Sequence, residues 1–260
     1  MSVFVTTQGH GPDLALLHGW GLNGAVWQNI RDELAEHFTL HLIDLPGHGQ
    51  SANVKATTLD EMSDAIYDVL PAKTNLLGWS LGGQVAMKFA LRHPQKIDKL
   101  ILVATTPQFV TSNDWPHGMK PGVLTDFASR LITNYAATIK NFLALQALQP
   151  AHTGQPDNIR RTIQLLQTAL LARGAPNLNN LMHGLEMLAE TNLRPLACRI
   201  STPTLVMQGD HDALTPEPAA RWLAAAMPNA EYCMIAHAAH APFLSHRSAF
   251  ITRIKPFLNS

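Results

Sequence analysis

Charge is scarce in this chain of 260 residues: Asp, Glu, Lys and Arg make up 15% of it, against about 25% in ordinary soluble domains. The 19 Lys+Arg are matched by 19 Asp+Glu, and no tract of basic residues stands out. Binding to a nucleic-acid backbone, which needs clustered positive charge, is not expected. Cysteine is rarer still. Cys198 and Cys233 are the only two, too few for a disulfide framework and outside any metal-ligand spacing. No apolar run approaches the ~18 residues that span a bilayer. The first basic residue is Arg31, so the expected reading has no secretory signal at the start. These absences lead to the expectation of a cytoplasmic monomer with no membrane span and no nucleic-acid partner.

What is present is apolar. Hydrophobic residues make up 46% of the chain, enough to fill a sizeable core. At roughly 150 residues per domain, the length suits one large domain or a core with an insert. Short apolar runs alternate with amphipathic stretches, the pattern of a mostly parallel sheet covered by helices. Strands are expected at Val3–Thr7, Asp13–Leu17, Thr39–Asp44, Thr74–Gly78, Lys99–Ala104, Thr204–Gln208 and Glu231–Ile235. Helices are expected at Ala25–His37, Thr58–Leu70, Leu81–His93, Pro216–Met227 and His246–Leu258. Thr58 and Glu61 have the spacing of a capping box.

The alternation breaks between about Val110 and Asn192, where only helical periodicity is found. Leu124, Phe127, Leu131, Tyr135, Ile139 and Phe142 recur at spacings of three and four, predicting a helix with one apolar face. Ile159–Ala172 and Leu178–Ala189 read likewise. The expected organisation is a core of residues 1–110 and 193–260, interrupted by a helical insert at 111–192.

The sharpest chemical signal is Gly78-Trp79-Ser80-Leu81-Gly82, a G-x-S-x-G sequence followed by Gly83. It stands between an apolar run and a helical pattern. A serine on such a tight strand-to-helix turn projects its hydroxyl above the sheet, and small flanking residues let the backbone pass. A serine hydroxyl is a weak nucleophile. It needs a base, itself held by a carboxylate, and on this architecture the order is Ser, acid, His. Gly209-Asp210-His211-Asp212 follows a strand candidate and offers two carboxylates. Asp212 is the expected acid, standing clear of the strand end, whereas Asp210 reads as a turn former. His237, His240 and His246 follow the last strand, and His240 is the expected base, in a small-residue loop just before Pro242. The residue after the nucleophile, Leu81, should give one backbone N–H to an oxyanion hole. The loop His18-Gly19-Trp20-Gly21 nominates the Trp20 N–H as the other. Asp44-Leu45-Pro46-Gly47-His48-Gly49 reads as a structural turn. No C-x-x-C pattern points to a metal, and no G-x-G-x-x-G follows the first strand.

Taken together, the loop at His18–Gly21, the turn at Asp44–Gly49, the Gly78–Gly82 elbow and the loops of Asp212 and His240 resemble the α/β-hydrolase superfamily along the whole chain. The helical insert is similar to that superfamily's cap domain. More narrowly, Gly78–Gly83, Phe142-Leu143-Ala144-Leu145-Gln146 and Ala238–Phe243 resemble the carboxylesterase family of biotin synthesis, which removes the methyl ester from pimeloyl-acyl-carrier protein. The resemblance implies a Ser80–Asp212–His240 triad, oxyanion donors at Trp20 and Leu81, and no cofactor. It also implies a cap whose basic residues receive an acidic carrier protein. Arginines flank the family's counterpart of Phe142. Here Ala137 and Asn141 stand nearby, with Lys140, and Arg160 and Arg161 are the expected contacts together with Phe142. The other readings open to this sequence are a broad-specificity carboxylesterase and a ligand receptor that keeps the triad without turnover.

Overall fold

The computed structural model describes residues 2–150, 155–174 and 176–260. Seven strands form one sheet: β1 (Val5–Gln8), β2 (Asp13–Leu17), β3 (Thr39–Ile43), β4 (Thr74–Trp79), β5 (Ile97–Val103), β6 (Thr204–Gly209) and β7 (Ala230–Ile235). Their spatial order is β1-β3-β2-β4-β5-β6-β7. Only β1 runs antiparallel, pairing with β3; every other pair is parallel. All seven expected strands are present, within two residues at each end. Burial explains why they were readable. In β4 and β6 every residue is buried, because helices cover both faces of a parallel sheet and leave no polar side. At the edge, β7 has buried, half-buried and exposed positions.

The core helices are α1 (Gln28–Ala35), α2 (Leu59–Tyr67), α3 (Leu81–Arg92), α8 (Glu217–Ala226), the single turn α9 (Pro242–Ser245) and α10 (Arg247–Asn259). The start of α2 shows how local chemistry sets a boundary. Thr58 Oγ1 accepts the Glu61 N–H at 3.2 Å, while the Glu61 carboxylate reaches back to the Thr57 N–H at 2.6 Å. The return bond of this capping box thus lands one residue earlier than the usual partner. Pro94 stands just beyond the end of α3, as a residue without an N–H should.

Between β5 and β6 lie α4 (Pro121–Thr133), α5 (Tyr135–Leu145), α6 (Pro156–Leu171) and α7 (Leu178–Glu190). The single helix expected from Leu124 to Phe142 is in fact two. Asn134 leaves helical geometry at φ −149° and ψ 67°, and its side chain caps α5 by accepting the Ala137 N–H. A short polar side chain that competes for backbone donors favours such a cap over a helix interior. The apolar period survives the break because Leu124, Leu131 and Ile139 are all buried in the same interior.

Side chains reach across the seam between insert and core. Trp20 Nε1 donates to the Leu181 carbonyl at 2.9 Å, and Asn23 Nδ2 donates to the Ala169 carbonyl at 2.8 Å. Asn180 Nδ2 donates to the carbonyls of Gly47 and Ala52 at 3.1 and 3.0 Å. Asp44, fully buried, accepts the N–H groups of Gly24 and Gln50 at 2.7 and 2.8 Å. Arg173, just past α6, completes this cradle with a 2.7 Å bond to the same carboxylate. Removing one partner of a buried pair leaves the other desolvated and uncompensated. Arg173→Ala should therefore destabilise the protein by about 2–4 kcal/mol, the lower end reflecting the two amides Asp44 keeps. Urea unfolding of the variant checks this, and a loss under about 0.5 kcal/mol, the level of a surface change, would contradict it.

Candidate active site

The nucleophile candidate is built by a steric bottleneck. β4 ends at Trp79, and α3 begins at Leu81, leaving Ser80 alone to turn the chain at φ 56° and ψ −120°. Positive φ is uncommon for any residue with a Cβ and marks backbone held in place by its surroundings. Two glycines make the turn possible. A Cβ on Gly78 would lie 2.3 Å from the Gly82 carbonyl oxygen, and one on Gly82 would lie 2.5 Å from the Leu17 and His18 carbonyls. The strain is held by bonds on both sides of the peptide. The Ser80 N–H donates to Val103 at 3.0 Å, and its carbonyl accepts the Thr105 hydroxyl at 2.7 Å.

Three expected residues converge here. Ser80 Oγ and His240 Nε2 are 3.0 Å apart, and His240 Nδ1 and Asp212 Oδ2 are 2.8 Å apart. The His240 main chain is pinned from both layers. Its carbonyl accepts the Trp79 indole N–H at 2.8 Å, and its N–H donates to the Gln146 carbonyl, just past α5, at 3.1 Å. Asp212 Oδ1 accepts the N–H groups of Leu214 and Thr215 at 2.8 and 3.0 Å. Its Oδ2 accepts the Thr215 hydroxyl at 2.6 Å and Gln208 Nε2 at 2.8 Å. Burial works to raise this carboxyl, but the His240 charge, the hydrogen bond from His240 and those from Thr215 hold it below its ordinary value. A carboxylate kept ionised against an imidazole fixes the ring's tautomer and steadies its protonated form.

The other expected residues fall as follows. The Leu81 and Trp20 N–H groups find no acceptor among the described residues. Phe142 packs edge-on to Trp20, with ring centres 5.0 Å apart, and both line the cavity over Ser80 and His240. Arg160 and Arg161 lie on α6, exposed and away from that cavity, and Arg160 pairs with Asp157 on its own helix. His246 is the N-cap of α10. Asp210 lies instead beside His211 and His237. Gln208, Thr215 and Gln146 were not anticipated. Asp212-x-x-Thr215 carries a readable turn signal, an Asp whose carboxylate accepts from two and three residues on; nothing local marks Gln208 or the Gln146 carbonyl.

The cavity above the serine is apolar. Val123, Leu124 and Phe127 from α4, Phe142 and Leu145 from α5, and Leu185 and Leu188 from α7 line it. Among the described residues, Ser80 and His240 are its only polar lining side chains apart from the Trp20 indole, whose N–H is engaged by Leu181. Val123 and Leu145 are 48% and 39% exposed, so the mouth opens between the start of α4 and the end of α5.

A nucleophile elbow on a parallel sheet, with acid and base on later strand-end loops, defines a class of hydrolase. The family model described as "alpha/beta hydrolase fold" matches residues 14–247, and the chain belongs to that family. Among curated proteins, it is similar to the pimeloyl-[acyl-carrier protein] methyl ester esterase of Nitrosomonas europaea, 39% identical over 96% of this chain and 97% of that protein. The protein of the same name from Vibrio cholerae is 40% identical over 99% of this chain and 98% of its own length. Among solved structures, an esterase from Exiguobacterium antarcticum has a TM-score of 0.87 at 21% identity, covering 99% of this chain and 96% of that one. An enol-lactonase from Burkholderia xenovorans has a TM-score of 0.84 at 23% identity, with the same coverage. At those identities the structural likeness speaks to the fold alone.

The loop carrying Trp20 rests on a buried neutral histidine. The Leu45 N–H can only donate, so His18 Nε2 is its acceptor at 2.9 Å; the proton sits on Nδ1, which donates to the Gly19 carbonyl at 2.8 Å. Burial first, then neighbouring His48, hold His18 well below its ordinary value, against the pull of the Gly19 carbonyl. His48 is lowered too, chiefly by burial, with the Pro46 carbonyl and Asp44 opposing. In the unfolded chain both rings take up protons near pH 6.5, while the folded protein keeps them neutral. Their contribution is therefore fully present above about pH 6.5 and is lost as the pH falls below it, by up to about 1.4 kcal/mol per pH unit for each ring. Urea unfolding at pH 8 and at pH 5.5 should show this loss with net proton uptake; equal midpoints would contradict it.

Proposed function

We propose that this protein is a serine carboxylesterase that hydrolyses the methyl ester of pimeloyl-acyl-carrier protein. The observation that carries the reading is the cavity. A neutral acyl chain ending in a methyl ester can enter a pocket lined by Leu, Phe and Val, with no Lys, Arg, Asp or Glu among the described lining residues. A free carboxylate there would lose its hydration without a cation to pair with, at a cost of several kcal/mol. Substrate is thus favoured over product at the buried end. The mouth, rimmed by Val123 and Leu145, leaves the carrier-bound end of the chain outside. Near-full-length likeness to proteins named for this activity supports the same substrate.

In the proposed reaction Ser80 Oγ attacks the ester carbonyl while His240 Nε2 takes its proton. The N–H groups of Trp20 and Leu81 face the oxygen that becomes negative, a contribution that is large in a water-poor site. Collapse of the tetrahedral intermediate breaks the bond to the methoxy oxygen, and His240 returns the proton to release methanol. Water then attacks the acyl-serine in the same way, leaving the carboxylic acid and free Ser80. Asp212 holds the imidazole throughout.

Ser80→Ala and His240→Ala should each remove most hydrolysis of a short chromogenic ester, and the double variant should be barely worse, because groups acting as a unit are strongly non-additive. Asp212→Asn should fold and lose on the order of 10⁴-fold in turnover. Steady-state kinetics on the purified variants checks both, and a mild Asp212→Asn beside a crippled Asp210→Asn would displace the assigned acid. Bound substrate without turnover would mark a receptor.

The carrier protein would dock on the insert through Arg160 and Arg161. Screened attraction between exposed charges steers association more than it strengthens a complex. Replacing both arginines by Glu should lower kcat/KM for the carrier-bound methyl ester several-fold and leave a small ester near the wild-type rate. The wild-type rate on the carrier-bound ester should also fall with added salt. Equal rates on the carrier-bound ester for variant and wild type would remove the dock and favour a broad-specificity esterase.

A further inference from the structure

Outside the triad, a second group of ligand-bearing side chains meets on the same two loops. Asp210 and His211 follow β6, and His237 follows β7. One carboxylate oxygen and one nitrogen from each imidazole lie within 4.8 Å of one another, and the two rings are 5.5 Å apart, centre to centre. Two of these groups are chemically incomplete. Asp210 Oδ1 and His211 Nδ1 are shut off from solvent and find no hydrogen-bond partner among the described residues. Buried polar atoms are nearly always paired, and each exception asks for a missing partner. A carboxylate oxygen and an imidazole nitrogen have in common that both can donate a lone pair to a cation.

The backbone presets the cluster. The His211 N–H donates to the Ala238 carbonyl at 2.9 Å, and a Cβ on Gly209 would lie 2.3 Å from that carbonyl, so the two loops meet closely. His237 sits at φ 61°, a conformation that turns its exposed ring onto the cluster instead of continuing the line of β7. His246 stands close enough for its charge to feel His237, Asp210 and His211.

We propose that Asp210, His211 and His237 form a binding site for a divalent transition metal of the zinc class, with its fourth position open to water or His246. Two imidazoles and one carboxylate are the donor set of an open zinc site, and ligands at about 2.0–2.1 Å from the metal lie roughly 3.3 Å apart in a tetrahedron. Modest side-chain rotation from the observed separations reaches that. Harder ions such as Mg²⁺ and Ca²⁺ are disfavoured, since they call for oxygen donors. The ion would join the β6 loop, which carries Asp212 two residues on, to the β7 loop, which carries His240 three residues on. It would clip the loops of acid and base together without using either side chain.

The test is zinc binding by the tag-free full chain after chelator treatment, followed by titration calorimetry and thermal unfolding. One Zn²⁺ per chain is expected, with the unfolding temperature rising by several degrees at saturation because the ion binds only the folded form. His237→Ala removes an exposed side chain and should fold. It should weaken binding on the order of 100-fold, at least as much as losing an outer-shell partner does. Ser80→Ala should bind zinc as the wild type does. No binding at sub-millimolar Zn²⁺, unchanged affinity in His237→Ala, or loss of binding in Ser80→Ala would each overturn the proposal, the last by placing the ion on the triad.

Discussion

The whole arrangement depends on how little room there is at the end of β4. One residue must reverse the chain from a central strand into α3, and it does so at positive φ with carbonyls on both sides too near for any side chain at Gly78 or Gly82. Such strain persists only where the surroundings over-determine it. Here they do: the sheet supplies the Val103 carbonyl, the loop after β5 supplies the Thr105 hydroxyl, and the turn has nowhere else to go. The rest of the site is measured from that fixed point. β6 and β7 are laid down beside β5 in order, so the loops that leave their ends deliver Asp212 and His240 in sequence across the top of the sheet.

Much of this was readable because the parallel sheet writes itself as short, mostly apolar runs. Thr74–Trp79 and Thr204–Gly209 are buried at every position, and nothing in a helix of comparable composition would be so short and so sharply bounded. The G-x-S-x-G glycines were legible for the steric reason just given. His240 and Asp212 could be chosen from several candidates because chain order and strand ends limit which loops reach the serine.

What escaped the sequence is contact between residues far apart in the chain or held through main-chain atoms. Gln208 supports Asp212 from inside a strand, where it looks like one polar residue among apolar ones. The Gln146 carbonyl could belong to any residue. Asn134 splits a helix without disturbing the spacing of its apolar face, so the period of Leu131, Tyr135 and Ile139 hides the break. Asp210 and His211 are adjacent, but His237 is remote in sequence, and only the pairing of β6 with β7 brings it to them.

Trp20 belongs to both halves of the molecule at once. Its side chain lines the cavity above Ser80, while its indole N–H is fastened to the Leu181 carbonyl in the first turn of α7. A Cβ on Gly184 would lie 2.6 Å from the indole ring, so the ring lies flush against that helix. On the other side of the serine, the His240 N–H is fastened to the carbonyl just past α5. The insert therefore grips the site at two points, one on each side of the nucleophile. If α5 and α7 were to lift, they would either break these bonds or carry the loops of Trp20 and His240 with them. The same two bonds that join the insert to the core thus also tie it to the loops on either side of Ser80.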